Sequence, residues 1–150
     1  MFEDDEYIGQ AIALAWAARE KGNHPFGALL VVDGQVVATA ENTVAVDGDV
    51  TGHAELNLIR EATRSLGADV VARATLYTST EPCAMCAGAV HWAGIRRVVY
   101  GCPAETVAEM ADESFVVPCR LLFGYAREGI EVKGPVLERE AVAVHEGFWG

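Results

Sequence analysis

The feature that most constrains this chain is a pair of short motifs, His53-Ala54-Glu55 and Pro82-Cys83-Ala84-Met85-Cys86. One imidazole and two thiolates form the kind of three-ligand site in which Zn²⁺ keeps a fourth position for water. The fold therefore has to bring His53 next to Cys83 and Cys86. Zinc in such a site lowers the pKa of its water to about 7, and a carboxylate beside it can move protons. Since the metal does not need Glu55 as a ligand, the motifs predict hydrolysis with Glu55 as the catalytic residue.

The local spacing sets conditions on the helices that carry these residues. Cys83 and Cys86 share a face if they lie on the first turn of a helix, and Pro82 suits the position just before that turn. The positive end of the helix dipole then favours the thiolates. Glu55 lies only two residues after His53, so the two side chains can face one site only if His53 stands at the entrance of its helix.

Two other kinds of cysteine site compete with this interpretation. A Cys-x-x-Cys pair can be a redox dithiol, but such a pair has no use for His-x-Glu. A closed structural zinc site would need a fourth ligand from Cys102, Cys119 or His91, and a chain of 150 residues does not need a metal in order to fold. A non-catalytic zinc module for protein interaction is the alternative outside the enzymes, and Glu55 argues against it.

The composition limits the partners and the compartment. With 22 acidic and 11 basic residues the net charge is −11, whereas a protein that grips nucleic acid usually shows a basic patch. The only adjacent basic pair, Arg96-Arg97, is predicted to be a solvated strand end. No segment is apolar enough for a membrane span, and the acidic amino terminus is unlike a signal peptide, so a cytoplasmic location is expected. Cys102 and Cys119 are expected to be plain buried thiols.

The sequence predicts one domain over residues 1–150, with strands that alternate with helices after an opening hairpin. Asp33-Gly34 is the turn of that hairpin, between strands 27–32 and 35–40. Further strands are predicted at 74–78, 98–100 and 130–133, and helices at 4–21, 53–65, 83–93, 104–110 and 137–146. This order predicts a three-layer α/β/α sandwich around a mixed five-stranded sheet.

The motifs also resemble a known family. His-x-Glu with Pro-Cys-x-x-Cys is similar to the signature of the cytidine deaminase superfamily of zinc deaminases. The segment from Thr75 to Gly88 resembles the branch that holds bacterial guanine deaminases, yeast-type cytosine deaminases and tRNA adenosine deaminases. The resemblance runs from about residue 25 to residue 115. It implies the same fold, one Zn²⁺ per subunit, a homodimer, and hydrolytic removal of an exocyclic amine from an aromatic ring.

Within this resemblance, several residues are candidates for binding the base. Phe26, in Pro25-Phe26-Gly27-Ala28, matches a phenylalanine that packs on the base in guanine deaminases, and Asn42 matches an asparagine that hydrogen-bonds its edge. Trp92 matches a pocket tryptophan. For each of these residues the alternative is ordinary packing or a turn.

The acidic pair Asp112 and Glu113 resembles the pair that recognises guanine in that branch. Here the second acid is one methylene longer, and the aromatic residue expected before the pair is missing. The carboxyl-terminal Phe148 and Trp149 are too apolar to stay in water, and we expect them to form a lid over an active site of the same or a partner subunit. His24, His91 and His145 are expected to be packing residues rather than ligands.

Together these features predict zinc-dependent deamination of a free nucleobase or related heterocycle. Guanine-like purines and triazines rank ahead of cytosine. A small molecule is the expected partner. The enzymatic rival is tRNA adenosine deamination, which the net charge, Phe26 and the tail oppose.

Overall fold

The computed structural model describes residues 2–150, and its centre is a mixed five-stranded sheet in the order β2-β1-β3-β4-β5. The strands are β1 (Gly27–Val32), β2 (Gln35–Glu41), β3 (Thr75–Thr80), β4 (Arg97–Cys102) and β5 (Glu131–Lys133). Strand β1 runs antiparallel to β2 and to β3, while β3, β4 and β5 are parallel to one another. The carboxyl ends of the parallel strands consequently lie at one edge of the sheet.

Helices cover both faces of this sheet. They are α1 (Phe2–Glu20), α2 (Val44–Asp47), α3 (Ala54–Leu66), α4 (Ala68–Ala72), α5 (Ala84–Ala93), α6 (Ala104–Ala111), α7 (Cys119–Phe123) and α8 (Glu138–Ala143). One core lies between the sheet and α3, α4, α5 and α7, and a second lies between the sheet and α1 and α8. The predicted three-layer α/β/α sandwich is confirmed.

The alternation of side chains along the strands explains why both faces are covered. Leu30 and Leu76 lie in the first core, whereas their neighbours Leu29 and Tyr77 lie in the second. Successive strand residues point to opposite faces, and here both sets are apolar. A strand that is apolar on both sides is stable only when each face of the sheet is covered.

The predicted hairpin is confirmed at Asp33-Gly34, between β1 and β2. Both turn residues have positive φ, 51° for Asp33 and 75° for Gly34. A two-residue turn with positive φ at both positions matches the twist of the flanking strands, and Asp-Gly tolerates it better than most pairs.

Several element boundaries differ from the predicted ones. Strands β3 and β4 continue to Thr80 and Cys102, and the closing helix α8 is shorter than expected. The short helices α2, α4 and α7 were not predicted, because segments of four or five residues have no periodicity to detect.

The structure contradicts the prediction that Arg97 belongs to a solvated strand end. The guanidinium group of Arg97 pairs with a carboxylate, since its Nη2 lies 2.9 Å from Oδ2 of Asp4 in α1. Asp4 is only 4% exposed and also accepts hydrogen bonds from Tyr77 and Lys133. This network fastens the first turn of α1 to the sheet. Within residues 2–150, no helix combines the length and the apolar composition that crossing a bilayer requires.

Candidate metal centre and active site

Two helix amino termini meet at the carboxyl end of β3 and carry the metal-ligating motifs. His53 is the N-cap residue of α3, and Cys83 is the N-cap residue of α5, each with extended backbone. Glu55 and Cys86 therefore lie in the first turns of these helices. This is the placement that the two-residue spacing from His53 to Glu55 required. Partial positive charge at both helix ends stabilises thiolates and carboxylates here.

The three predicted ligands form one cluster. Nδ1 of His53 lies 3.5 Å from Sγ of Cys83 and 3.6 Å from Sγ of Cys86. All three ligand atoms lie within 4.8 Å of one another. In a tetrahedron with ordinary zinc–sulfur and zinc–nitrogen bond lengths, the edge from nitrogen to sulfur is about 3.6 Å. The donor set and its spacing thus fit Zn²⁺.

The cluster has three protein ligands and one accessible side. Cys83 is exposed, whereas Cys86 is buried. None of the residues considered as a fourth ligand, Cys102, Cys119 and His91, joins the cluster in the part of the chain that the structure describes. Cys102 and Cys119 are buried free thiols, as predicted. A three-ligand arrangement with an accessible side is typical of catalytic rather than structural zinc sites.

The electrostatics of the cluster favour metal binding and proton transfer. Hydrogen bonding from Cys86, and then from His53, lowers the pKa of Cys83 to about 4, although neighbouring groups partly desolvate its sulfur and oppose this effect. Thiolates are the form in which cysteine binds metals. Glu55 is 5% exposed, and burial, with the nearby Cys83 thiolate, raises its pKa to about 7. A carboxyl group that titrates near neutral pH can both take and give a proton.

Phe26 and Asn42 lie at the same end of the sheet. Phe26 immediately precedes β1, and its carbonyl oxygen accepts a hydrogen bond of 3.1 Å from the backbone N–H of Asn42. The following Gly27 packs under α1, where an added Cβ would lie 2.5 Å from the carbonyl oxygen of Ala11. Glycine is required there, and the close approach of α1 fixes the place of Phe26.

Asn42 is 1% exposed, although its side chain is only partly satisfied by the protein. Its Oδ1 accepts a hydrogen bond of 3.0 Å from the backbone N–H of Val44. Its Nδ2 makes no hydrogen bond with the described residues. The adjacent Thr43 donates its backbone N–H to Gly52, next to His53, at 2.8 Å. Asn42 is therefore close in the fold to the ligand cluster, with donors left for a bound molecule.

The tail packs beside these residues. The rings of Phe148 and Trp149 lie 5.9 and 5.2 Å from the ring of His24 of the same chain, and Trp149 lies 6.0 Å from Phe26. His24 is near enough to His53 for the imidazole of His53 to contribute, after burial, to lowering the pKa of His24. The tail thus packs on its own chain, near the ligand cluster.

The remaining residues predicted to bind the base are Trp92, Asp112 and Glu113. Trp92 is 84% exposed on α5 and packs against His91, with the ring centroids 4.8 Å apart. Asp112 ends α6 in a left-handed conformation with φ 53°. Glu113 accepts hydrogen bonds of 2.8 and 3.0 Å from the backbone N–H groups of Ser114 and Phe115. Its carboxylate stabilises its own turn.

Sequence reasoning did not identify the role of Glu81. This residue is 8% exposed and precedes Pro82 and Cys83. Its carboxylate accepts hydrogen bonds from the backbone N–H groups of Ala104, at 3.0 Å, and Cys119, at 2.7 Å. Glu81 thereby joins the ligand-bearing turn to the starts of α6 and α7. No local pattern could have revealed it, because both partners are distant in sequence.

The comparison with protein families agrees with this geometry. The model described as the cytidine and deoxycytidylate deaminase zinc-binding region matches residues 1–102. These residues include His53, Glu55, Cys83 and Cys86. The chain belongs to this family of zinc-dependent hydrolytic deaminases, and the predicted enzyme class and zinc cofactor are confirmed.

The chain is similar to relatives with different substrates. A probable cytosine deaminase of Schizosaccharomyces pombe is 41% identical over 155 residues, covering 98% of this chain and 93% of the relative. A guanine deaminase of Bacillus subtilis is 40% identical over 114 residues, covering 75% and 73%. A tRNA-specific adenosine deaminase of Bacillus subtilis is 43% identical over 101 residues, covering 67% and 63%.

A solved structure extends the comparison to the fold. The guanine deaminase of Nitrosomonas europaea superposes with a TM-score of 0.83 at 26% identity, covering 94% of this chain and 81% of that chain. The similarity includes the mixed sheet and its helices. The relatives confirm the family resemblance but point to more than one substrate.

Proposed function

We propose that this protein hydrolytically removes the exocyclic amine of a free nucleobase or a related small heterocycle. The observation that carries the proposal is the placement of buried Glu55, in the first turn of α3, beside the cluster of His53, Cys83 and Cys86. This end of the sheet is also lined by aromatic rings. A flat aromatic amine matches such a site. A structural zinc site would have no role for a buried carboxyl group at this position.

In the proposed mechanism, Glu55 moves the protons. When bound by His53, Cys83 and Cys86, zinc supplies a water whose pKa is near 7. Glu55 takes a proton from the attacking water and delivers it to the ring nitrogen beside the amine-bearing carbon. The hydroxyl oxygen adds to that carbon. Glu55 then takes the proton of the added hydroxyl group and gives it to the amino group, and the carbon–nitrogen bond breaks to release ammonia. The products are ammonia and the ring with a carbonyl group.

Phe26 and Asn42 are proposed to hold the ring. A base stacked near Phe26 would bury its faces, and Nδ2 of Asn42 would donate to an acceptor on the edge of the base. A pocket that hydrogen-bonds its substrate discriminates strongly, because a wrong ring leaves a buried donor unpaired. The aromatic rings of Phe148 and Trp149 are proposed to close the pocket and exclude water.

The proposed substrate is a guanine-like purine or a triazine, and cytosine is the second candidate. Guanine deaminases are among the relatives and the structural neighbours. Cytosine gains support from the Schizosaccharomyces pombe relative, because that similarity extends over 98% of this chain.

A tRNA substrate is the rival, and its support is the similarity to tRNA-specific adenosine deaminases. The net charge of −11 opposes it. A polyanion is repelled by such a surface, and binding through phosphate contacts requires basic residues. We therefore propose that the partner is a small molecule.

An ammonia-release screen tests these proposals. Zinc-loaded protein is assayed with guanine, isomeric and oxidised purines, ammeline, cytosine and the corresponding nucleosides, with Glu55→Gln as the inactive control. Release from a free base supports the proposal. Failure with every base, together with deamination of an anticodon stem-loop at moderate salt, would replace it with the tRNA rival.

We also propose a homodimer that forms through an exposed apolar face of α5. Met85 and Trp92 lie seven residues apart, on one side of the helix, and are 37% and 84% exposed. Large exposed apolar side chains grouped on one face commonly mark an interface. Sedimentation at micromolar concentration should show a dimer, and Trp92→Glu should show a monomer. A monomeric wild type contradicts the proposal.

A further inference from the structure

The carboxyl-terminal tail, residues 144–150, contains a buried histidine with two side-chain partners. His145 is 1% exposed. Its Nε2 lies 2.8 Å from Oγ1 of Thr80 in β3, and its Nδ1 accepts a hydrogen bond of 3.1 Å from Nε1–H of Trp149. His145 thus stands between the strand that leads to the ligand turn and the aromatic end of the chain.

The chemistry of the indole determines which nitrogen of His145 carries the proton. Trp149 Nε1–H can only donate, so Nδ1 of His145 has to be the unprotonated nitrogen. The proton is then on Nε2, which donates it to the hydroxyl oxygen of Thr80. This arrangement needs a neutral imidazole. Burial lowers the pKa of His145 to about 4, and Arg19, the charged group of α1 that faces the tail, adds to the lowering.

The two hydrogen bonds connect the tail to the site. Thr80 lies three residues before Cys83 in the sequence. The ring of Phe26 lies 5.2 Å from the ring of His145 and 6.0 Å from that of Trp149. Trp149 also lies 5.2 Å from His24. His145 therefore orients the indole toward the residues proposed to hold the base.

A second contact holds the backbone of the tail independently of His145. Nη1 of Arg19 donates to the carbonyl oxygens of Val144, at 2.9 Å, and Glu146, at 2.6 Å. The guanidinium group also lies 5.6 Å from the ring of Phe148. Loss of the His145 side chain should consequently free the indole of Trp149 while Arg19 keeps the tail docked.

We propose that His145 is a positioning residue that holds Trp149 against Phe26 as one wall of the base pocket. This inference rests on the proposed function, because the wall matters only if a flat ring binds beside it. His145 itself does not take part in proton transfer. It affects the reaction only by fixing the position of the Trp149 indole.

The first experiment follows Trp149 directly. The chain has three tryptophans, so Trp16→Phe with Trp92→Phe leaves Trp149 as the single tryptophan, which is excited selectively at wavelengths where tyrosine does not absorb. In this background His145→Phe removes both hydrogen bonds and keeps an aromatic ring. We expect a shift of Trp149 emission to longer wavelength and stronger quenching by acrylamide. His145→Asn places an amide oxygen near the position of Nδ1, and it should restore most of the original signal.

The second experiment measures the effect on substrate binding. In the otherwise wild-type protein we expect His145→Phe to raise KM for the accepted base about tenfold, the factor expected for loss of the hydrogen bond that orients Trp149, with a smaller change in kcat. The zinc content should stay the same. Tyr77→Phe is the control, because it removes the hydrogen bond to Asp4, in a different part of the core, and should lower the stability without changing KM.

The outcomes separate this inference from the proposed function. An unchanged Trp149 signal in His145→Phe, or a KM no higher than in Tyr77→Phe, overturns the positioning role. Absence of ammonia release by the wild type with every base overturns the proposed function. In that case the emission of Trp149 is followed in the Trp16→Phe/Trp92→Phe background while guanine or cytosine is added. Quenching that His145→Phe abolishes would still support the wall, and no quenching in either protein would count against it.

Discussion

Oε2 of Glu81 accepts a hydrogen bond of 2.7 Å from the backbone N–H of Cys119, across 38 positions of the chain. The other carboxylate oxygen accepts from Ala104 N–H at 3.0 Å. Both amides lie at helix starts, where backbone N–H groups have no partner within the helix. These two hydrogen bonds hold the turn before Cys83 against the starts of α6 and α7. They stabilise the position of Cys83 through a residue that is not itself a metal ligand.

This bracing predicts the effect of Glu81→Gln. The amide has only one oxygen, so one of the two N–H groups would face the side-chain NH₂ and remain unpaired. We expect the free energy of unfolding to fall by about 1–3 kcal/mol. Urea denaturation of the zinc-loaded protein measures it. Glu61→Gln is the matched control on an exposed helix surface and should change the stability by less than about 0.5 kcal/mol. Equal midpoints for the two variants would contradict the bracing role.

Glu55→Gln tests the proton-transfer role. The carboxamide keeps the size of the side chain but cannot accept and return a proton. We expect turnover to fall by about 10²- to 10⁴-fold. Zinc content, measured by elemental analysis, should stay at the wild-type level, because Glu55 is not a ligand. Ammonia release at the native rate would remove Glu55 from the mechanism.

Cys83→Ala tests the metal centre. Loss of one of three protein ligands should release zinc, and the thermal midpoint should fall because metal binding stabilises the folded state. Cys102→Ala is the control, since that thiol is buried but lies outside the cluster. It should lose stability through packing while retaining its zinc. Retention of zinc by Cys83→Ala, at stoichiometric level, would show that the ligand set is wrong.

The lowered pKa of Asp4 predicts how the free energy of unfolding responds to acid. The hydrogen bond from Arg97, followed by those from Lys133 and Tyr77, holds the pKa of Asp4 well below its usual range, against the effect of burial. The unfolded chain then binds a proton more readily than the folded one. Stability from this network is fully present above about pH 4 and is lost as the pH falls toward the folded pKa.

Asp4→Asn should remove that part of the pH dependence. We expect a loss of about 2 kcal/mol at neutral pH, a moderate value because Arg97 and Lys133 are partly exposed. Urea midpoints of both proteins between pH 5 and pH 2.5 measure the effect. Release of zinc by acid affects both proteins equally, so the difference between them isolates Asp4. A constant difference across this range would show that Asp4 is not the responsible group.

The elements that could be predicted are those whose signal is local. Apolar residues on both faces of the strands, the Asp33-Gly34 turn and the helical periodicity gave the correct fold class. The ligand set was equally local, because His53, Cys83 and Cys86 are the side chains that zinc needs and few alternatives exist in the chain. The placement of His53 at the start of α3 followed from the requirement that Glu55 face the same metal.

Other features depend on contacts that local patterns do not encode. Arg97 looked like a solvated end, yet it pairs with Asp4 at a separation of 93 positions. Trp92 and Glu113 matched their motifs, but in this chain one is exposed and the other binds its own turn. A side chain's neighbours across the fold are selected by the packing of whole helices and strands, and short motifs do not contain that information.

The amino-acid order was enough to establish the chemistry of the centre, because metal ligation depends on side-chain type and on spacing within one helical turn. The three-dimensional fold decided what surrounds that centre. His145 and Thr80 lie 65 positions apart, and only the docking of the tail on the sheet places them 2.8 Å from each other. Burial then favours the neutral imidazole of His145, and the hydrogen bond from Trp149 selects its tautomer. Both effects come from the packed surroundings and not from the histidine itself.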